Sequence, residues 1–136
     1  MEAFCIGINP DFESTGKLFE IGTINLDGKG ALIIGPNMQA RKADLLKVMD
    51  VLECLSGHMD CALISGTPFV AFFYKGRTVK LQENEYIRGA MIVFKLTEYG
   101  IELLHDEDYK AASKEMESRR TVITVDERCY TAFKTN

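Results

Sequence analysis

The chain is poor in the residues that most often carry chemistry. It has two histidines and four cysteines in 136 residues. The cysteines, Cys5, Cys54, Cys61 and Cys129, are too few and too scattered for a disulfide framework, so reduced thiols in a cytoplasm are the simplest reading. No apolar run approaches the roughly 20 residues a membrane helix needs. The start, Met1-Glu2-Ala3-Phe4, lacks the basic stretch before an apolar one that marks a secretory signal. His58 and His105 each follow the apolar part of an expected helix, where a protonated ring meets the helix dipole favourably. Neither has a Ser or Cys nucleophile and a positioned carboxylate nearby in sequence, so no enzymatic activity is expected. Cys54, His58 and Cys61 offer three ligands at a spacing that straddles a helix end and a strand start. Zinc wants three or four at fixed spacing, and these read as structural. Asp106-Glu107-Asp108 lacks the glycine-centred alternation of a calcium loop and reads as a solvated helix start. Gly28-x-Gly30 has nothing nearby to make it a phosphate cradle. No cofactor and no metal are expected.

What is present is a globular composition, 46% hydrophobic and 26% charged, in a chain long enough to bury a core without staples. The net charge of −4 argues against a generally basic nucleic-acid binder. The charge is uneven, however. Between residues 69 and 96, Lys75, Arg77, Lys80, Arg88 and Lys95 face only Glu83 and Glu85, while the expected helices carry most of the acid.

The chain also echoes itself. Gly16-Lys17-Leu18-Phe19-Glu20-Ile21 is followed by Gly76-Arg77-Thr78-Val79-Lys80-Leu81, and Gly30-Ala31-Leu32-Ile33-Ile34 by Gly89-Ala90-Met91-Ile92-Val93. Cys5, Pro10 and Phe12 have a looser echo in Cys61, Pro68 and Phe69. A duplication predicts one domain made of two small units, about 1–59 and 60–119, with a tail over 120–136. In the first unit, strands are expected at 3–8, 17–26 and 31–35, with Asp27-Gly28 forming the tight turn of a hairpin. A helix over about 38–56, capped by Asn37, carries Leu45, Val48, Met49, Leu52 and Leu55 at helical spacing and stops at Gly57. The second unit has strands at 61–65, 69–75, 78–82 and 86–96, then a helix capped by Thr97 and a more solvated helical stretch at 107–119. Residues 121–125 form a last strand, and the tail adds another. The expected class is α+β: two antiparallel meander-plus-helix repeats forming curved sheets, with the helices packed on one side.

A strand meander followed by one helix, present twice, resembles the PUR-repeat and Whirly families of single-stranded nucleic-acid binders. The stretch from Val93 to Leu104 resembles the Whirly junction, where a Leu-Ser/Thr-Glu segment and a glycine lead into the helix. Ala31-Leu32-Ile33-Ile34-Gly35-Pro36 resembles the PUR pattern. The Leu96–Leu104 stretch also resembles the segment after the wing of some winged-helix repressors. Those need an upstream helix-turn-helix, whereas residues 60–96 read as strands.

The resemblance implies binding of single-stranded DNA or RNA on a sheet face, which requires cations along the backbone path and rings for stacking. Lys17, Lys75, Arg77, Lys80, Arg88 and Lys95 are the candidate cations; Phe72, Tyr74 and Tyr86 are the candidate rings. The competing reading of these cations is ordinary solvent-face charge that discourages strand aggregation. Strand parity puts Arg88 and Lys95 on opposite faces of one continuous strand. The alternative function is a small cytoplasmic protein-binding module, such as an inhibitor, immunity protein or phage-encoded antagonist. A third is a small-molecule or nucleotide binder at the seam between the units. The stretch Phe69–Tyr74 is apolar on both faces, so either both are covered or one is an interface, and a homodimer is expected.

Overall fold

A computed structural model of the chain describes residues 2–8, 19–25 and 29–136. Strands β1 (Glu2–Ile8) and β2 (Phe19–Asn25) pair antiparallel. β3 (Ala31–Gly35) and β4 (Met38–Ala43) form a second hairpin, which leads into α1 (Leu45–Leu55). β5 (Met59–Leu63) and β6 (Phe69–Tyr74) form a third. β7 (Thr78–Leu81) and β8 (Asn84–Arg88) form a fourth. β9 (Met91–Thr97), β10 (Gly100–Glu102), α2 (Asp106–Ser118), β11 (Arg120–Val125) and β12 (Arg128–Lys134) complete the chain.

The architecture is α+β, with two mostly antiparallel sheets and two helices among the described residues. β9 is the hub of the larger sheet. One edge pairs with β6; the other pairs with β3 over Leu32↔Val93, Ile33↔Ile92 and Ile34↔Met91, then with β10. β2 joins this sheet parallel to β10. β1 returns close to β5, so the sheet curls. The smaller sheet runs β11-β12-β8-β7.

Alternation along β6 and β9 divides the core in two. Val70, Phe72, Ile92 and Phe94 face one cluster, which α1 closes with Val48, Leu52 and Leu55. Phe69, Ala71, Phe73, Met91 and Val93 face the other, with Tyr109, Ala112 and Met116 of α2 and with Ile87 and Phe133 of the smaller sheet. The helices therefore lie on opposite faces of the larger sheet, not on one side as expected. Phe69–Phe73 are buried on both faces within a single chain, which removes the reason to invoke a partner for that strand.

Other expectations are corrected by local chemistry. The helix begins at Leu45, where the Asp44 carboxylate accepts from the Lys47 N–H at 3.0 Å. Asn37 is no cap; with Pro36 it turns β3 into β4. Thr97 is no cap either. Its Oγ1 accepts from Tyr99 N–H at 3.2 Å and donates to the Gly100 carbonyl at 3.3 Å, which closes the β9–β10 turn. Gly100, at φ +114°, suits that turn and not a helix. The expected strand over 86–96 is cut at Gly89, whose φ of +86° sends β8 and β9 into different sheets. Residues 27 and 28 of the expected hairpin turn lie outside the described residues, and the strands either side do not pair. Instead Gly30 bridges Leu104, with the Leu104 N–H donating to the Gly30 carbonyl at 2.8 Å.

Gly30 is fixed by space. A Cβ there would stand 1.9 Å from the Ala43 carbonyl oxygen and 2.8 Å from the Tyr109 hydroxyl. The first obstacle is backbone, held by the Ala31↔Ala43 pair and the start of α1. Gly30→Ala should cost about 3 kcal/mol, at the upper end of ordinary overpacking penalties. Gly35→Ala, which meets only the flexible Met38 side chain at 3.2–3.4 Å, is the control and should cost far less. Urea melts of both proteins check this; equal midpoints would show that the β3–β4 backbone yields. Tyr109 is buried, and its phenol titrates above the ordinary 10.0, first from desolvation and then from the Asp106 charge.

Candidate binding site

The eight candidate residues that fall within the described residues do not form one face. Lys17 lies outside the described residues. Phe72 is fully buried and meets Phe94 edge-on, ring centroids 5.4 Å apart, so its ring is a core ring and not a stacking platform. Lys95 is half-buried and pairs with Asp108 at 3.3 Å. That carboxylate also accepts from the His105 N–H at 2.9 Å, which closes the first turn of α2. Arg88 lies over the Tyr130 ring at 4.6 Å, and its buried Nε has no acceptor among the described residues. Tyr86 is half-buried beside Arg119 and Lys134. Arg88 and Lys95 belong to different sheets, so strand parity does not relate them.

Tyr74, Lys75, Arg77 and Lys80 remain, all exposed: Tyr74 ends β6, Lys75 and Arg77 lie in the β6–β7 turn, and Lys80 is on β7. None of the three cations pairs with a carboxylate among the described residues. Lys80 stands opposite Glu85 in the β7–β8 register without reaching it. The turn is well fixed. The Lys75 N–H donates to the His58 carbonyl at 2.9 Å, and the Arg88 N–H to the Arg77 carbonyl at 2.8 Å. The Arg77 side chain runs past Gly89, its Cδ 3.7 Å from where a Cβ would stand. The Tyr74 hydroxyl donates to the Cys54 carbonyl at 3.3 Å and so satisfies one of the open carbonyls at the end of α1.

This turn borders a cleft of about 490 Å³ between α1 and the larger sheet. Its floor is apolar, made by Ile33, Val51, Leu55, Phe72 and Ile92; Met91 borders it from β9, though its side chain belongs to the cluster on the other face. Lys47, Asp50 and Cys54 line it from α1, and Tyr74 and Arg77 from the end of β6 and the turn after it. Sequence reasoning did not single out Lys47 or Asp50, and it weighed Cys54 only as a metal ligand. Their only signal is position: they flank the apolar stripe of α1, as solvated residues also do. Cys54 is exposed and Cys61 buried. No group of three metal-ligating side chains occurs among the described residues, and no described helix is long and apolar enough to cross a membrane. Compared with protein-family models, curated proteins and solved structures, the chain matches none.

Proposed function

We propose that the chain is a non-enzymatic binding protein for single-stranded nucleic acid, with its contact narrowed to Tyr74, Lys75, Arg77 and Lys80. The observation that supports this reading is the group of cations, unpaired among the described residues, beside a half-exposed tyrosine at a fixed turn. Cations along the strand path and a ring for one base are the minimum of such a site. The sheet register lends partial support to the duplication as well. Ile33 and Ile92 are equivalent positions of the two echoing segments, and they face each other in the β3–β9 pair. A two-fold through that pair stands perpendicular to the sheet and would put both helices on one face. The duplication is therefore proposed for the strands and not for the helices.

Three phosphate contacts give a salt slope of about −2 for a single strand, or about 15- to 20-fold weaker binding on going from 50 to 200 mM salt. Fluorescence anisotropy of a labelled mixed-sequence single strand measures this. Lys75→Glu with Arg77→Glu should abolish most of the affinity and flatten the slope. Lys95→Ala, which removes a paired cation, should leave binding intact wherever the fold holds. Unchanged affinity in the double variant, or no binding by the native protein at low salt, would overturn the proposal.

A further inference from the structure

We infer that the cleft beside α1 is a separate binding site for a small organic anion with a flat apolar body. Its volume, about 490 Å³, falls within the range of roughly 300–1,000 Å³ usual for small-molecule clefts. The reachable apolar contact comes from Ile33 and Val51, which are half-buried, with Phe72 and Ile92 essentially buried beneath them. The cleft presents apolar surface for a ring between helix and sheet. Its charges differ in kind from the floor. Lys47, on α1, and Arg77, between β6 and β7, both line it and carry no ion pair among the described residues, while Asp50 is the one carboxylate of the lining. The surplus cation selects an anionic group, and Tyr74, whose hydroxyl donates to the Cys54 carbonyl, adds a ring edge at the same mouth. The site shares Tyr74 and Arg77 with the nucleic-acid reading but not Lys47, and it lacks Lys75, so the two are separable by mutation.

The probe is 1-anilinonaphthalene-8-sulfonate, a flat aromatic anion whose fluorescence rises in apolar surroundings. The native protein should bind one equivalent. Lys47→Glu should weaken binding about fivefold, the scale of reversing one exposed charge, and Asp50→Asn should strengthen it about twofold. Lys75→Glu, outside the lining, should weaken the oligonucleotide and leave the dye unaffected. A second readout needs no charge change. The bound dye should shield the exposed thiol of Cys54 from iodoacetamide, while Cys129, exposed on β12 of the other sheet, should alkylate at its unliganded rate. Mass mapping of the alkylated peptides separates the two thiols. Dye binding that ignores Lys47→Glu and Asp50→Asn, or equal protection of both thiols, would overturn the inference even if oligonucleotide binding stands. Loss of oligonucleotide binding with the dye results intact would overturn only the nucleic-acid reading.

Discussion

Replacing Arg120 with alanine is expected to lower the free energy of unfolding by about 3 kcal/mol, the scale of losing a charged donor from several hydrogen bonds. One guanidinium serves two distant parts of the chain. Nη1 donates to the Gly35 carbonyl at 2.9 Å and to that of Pro36, and Nη2 donates to the Met38 carbonyl at 2.7 Å. Nε and Nη2 also hold the Glu117 carboxylate at 3.1 and 2.9 Å, and the plane lies 4.9 Å from the Phe133 ring centroid. The side chain is 22% exposed, so water replaces it poorly. Its carbonyl partners form the β3–β4 turn, whose strand carries Ile33 into the cleft floor. Arg119 makes a parallel tie, from Glu115 to the carbonyls of Ser65 and Lys134. Arg120→Lys should recover little, because one ammonium lacks the fork that spans three carbonyls and a carboxylate. Glu117→Gln should cost under about 1 kcal/mol, as for a half-exposed ion pair. Chemical denaturation with the slope checked for constancy measures all three variants. An Arg120→Ala protein within 0.5 kcal/mol of native would show that the turn carbonyls rehydrate freely.

Much of the fold is legible where a short stretch carries its own periodicity. The stripe Leu45, Val48, Leu52 and Leu55 locates α1, and Gly57, at φ +80°, follows its end as expected. The stretches expected at 107–119 and 121–125 match α2 and β11 to within a residue. The failures share one cause: a distant partner decides the local state. Met38–Ala43 is rich in good helix formers, yet it pairs with β3 through Leu32↔Lys42 and Ile33↔Arg41. Nothing local says that Gly89 redirects the chain between sheets. The site divides in the same way. Charge and aromaticity placed Tyr74, Lys75, Arg77 and Lys80 on the surface, where they are. The partners that occupy Lys95 and Arg88, Asp108 and Tyr130, come from elements folded against them from elsewhere in the chain. The cleft depends on where α1 sits over the sheet, which no spacing along the chain records.

Phe72 tests the distinction between a core ring and a binding ring most sharply. Phe72→Ala should destabilise the protein by about 3–5 kcal/mol, the cost of emptying an aromatic site in a packed core. The ring is fully buried, lies edge-on to Phe94, and sits where β5, β6 and β9 register Cys61, Phe72 and Ile92 side by side. A loss of that size is a large share of the 5–15 kcal/mol typical of a whole domain, so partial unfolding near room temperature is expected. Phe72→Leu keeps most of the volume and should cost less than half as much. Its effect on ligands then becomes informative. Because Phe72 floors the cleft and does not reach the solvent face, the leucine variant should change dye affinity while leaving oligonucleotide affinity within twofold at matched folded fraction. The opposite pattern, native stability in the alanine variant with oligonucleotide binding lost, would place the ring at the surface. It would restore the stacking role that its burial denies.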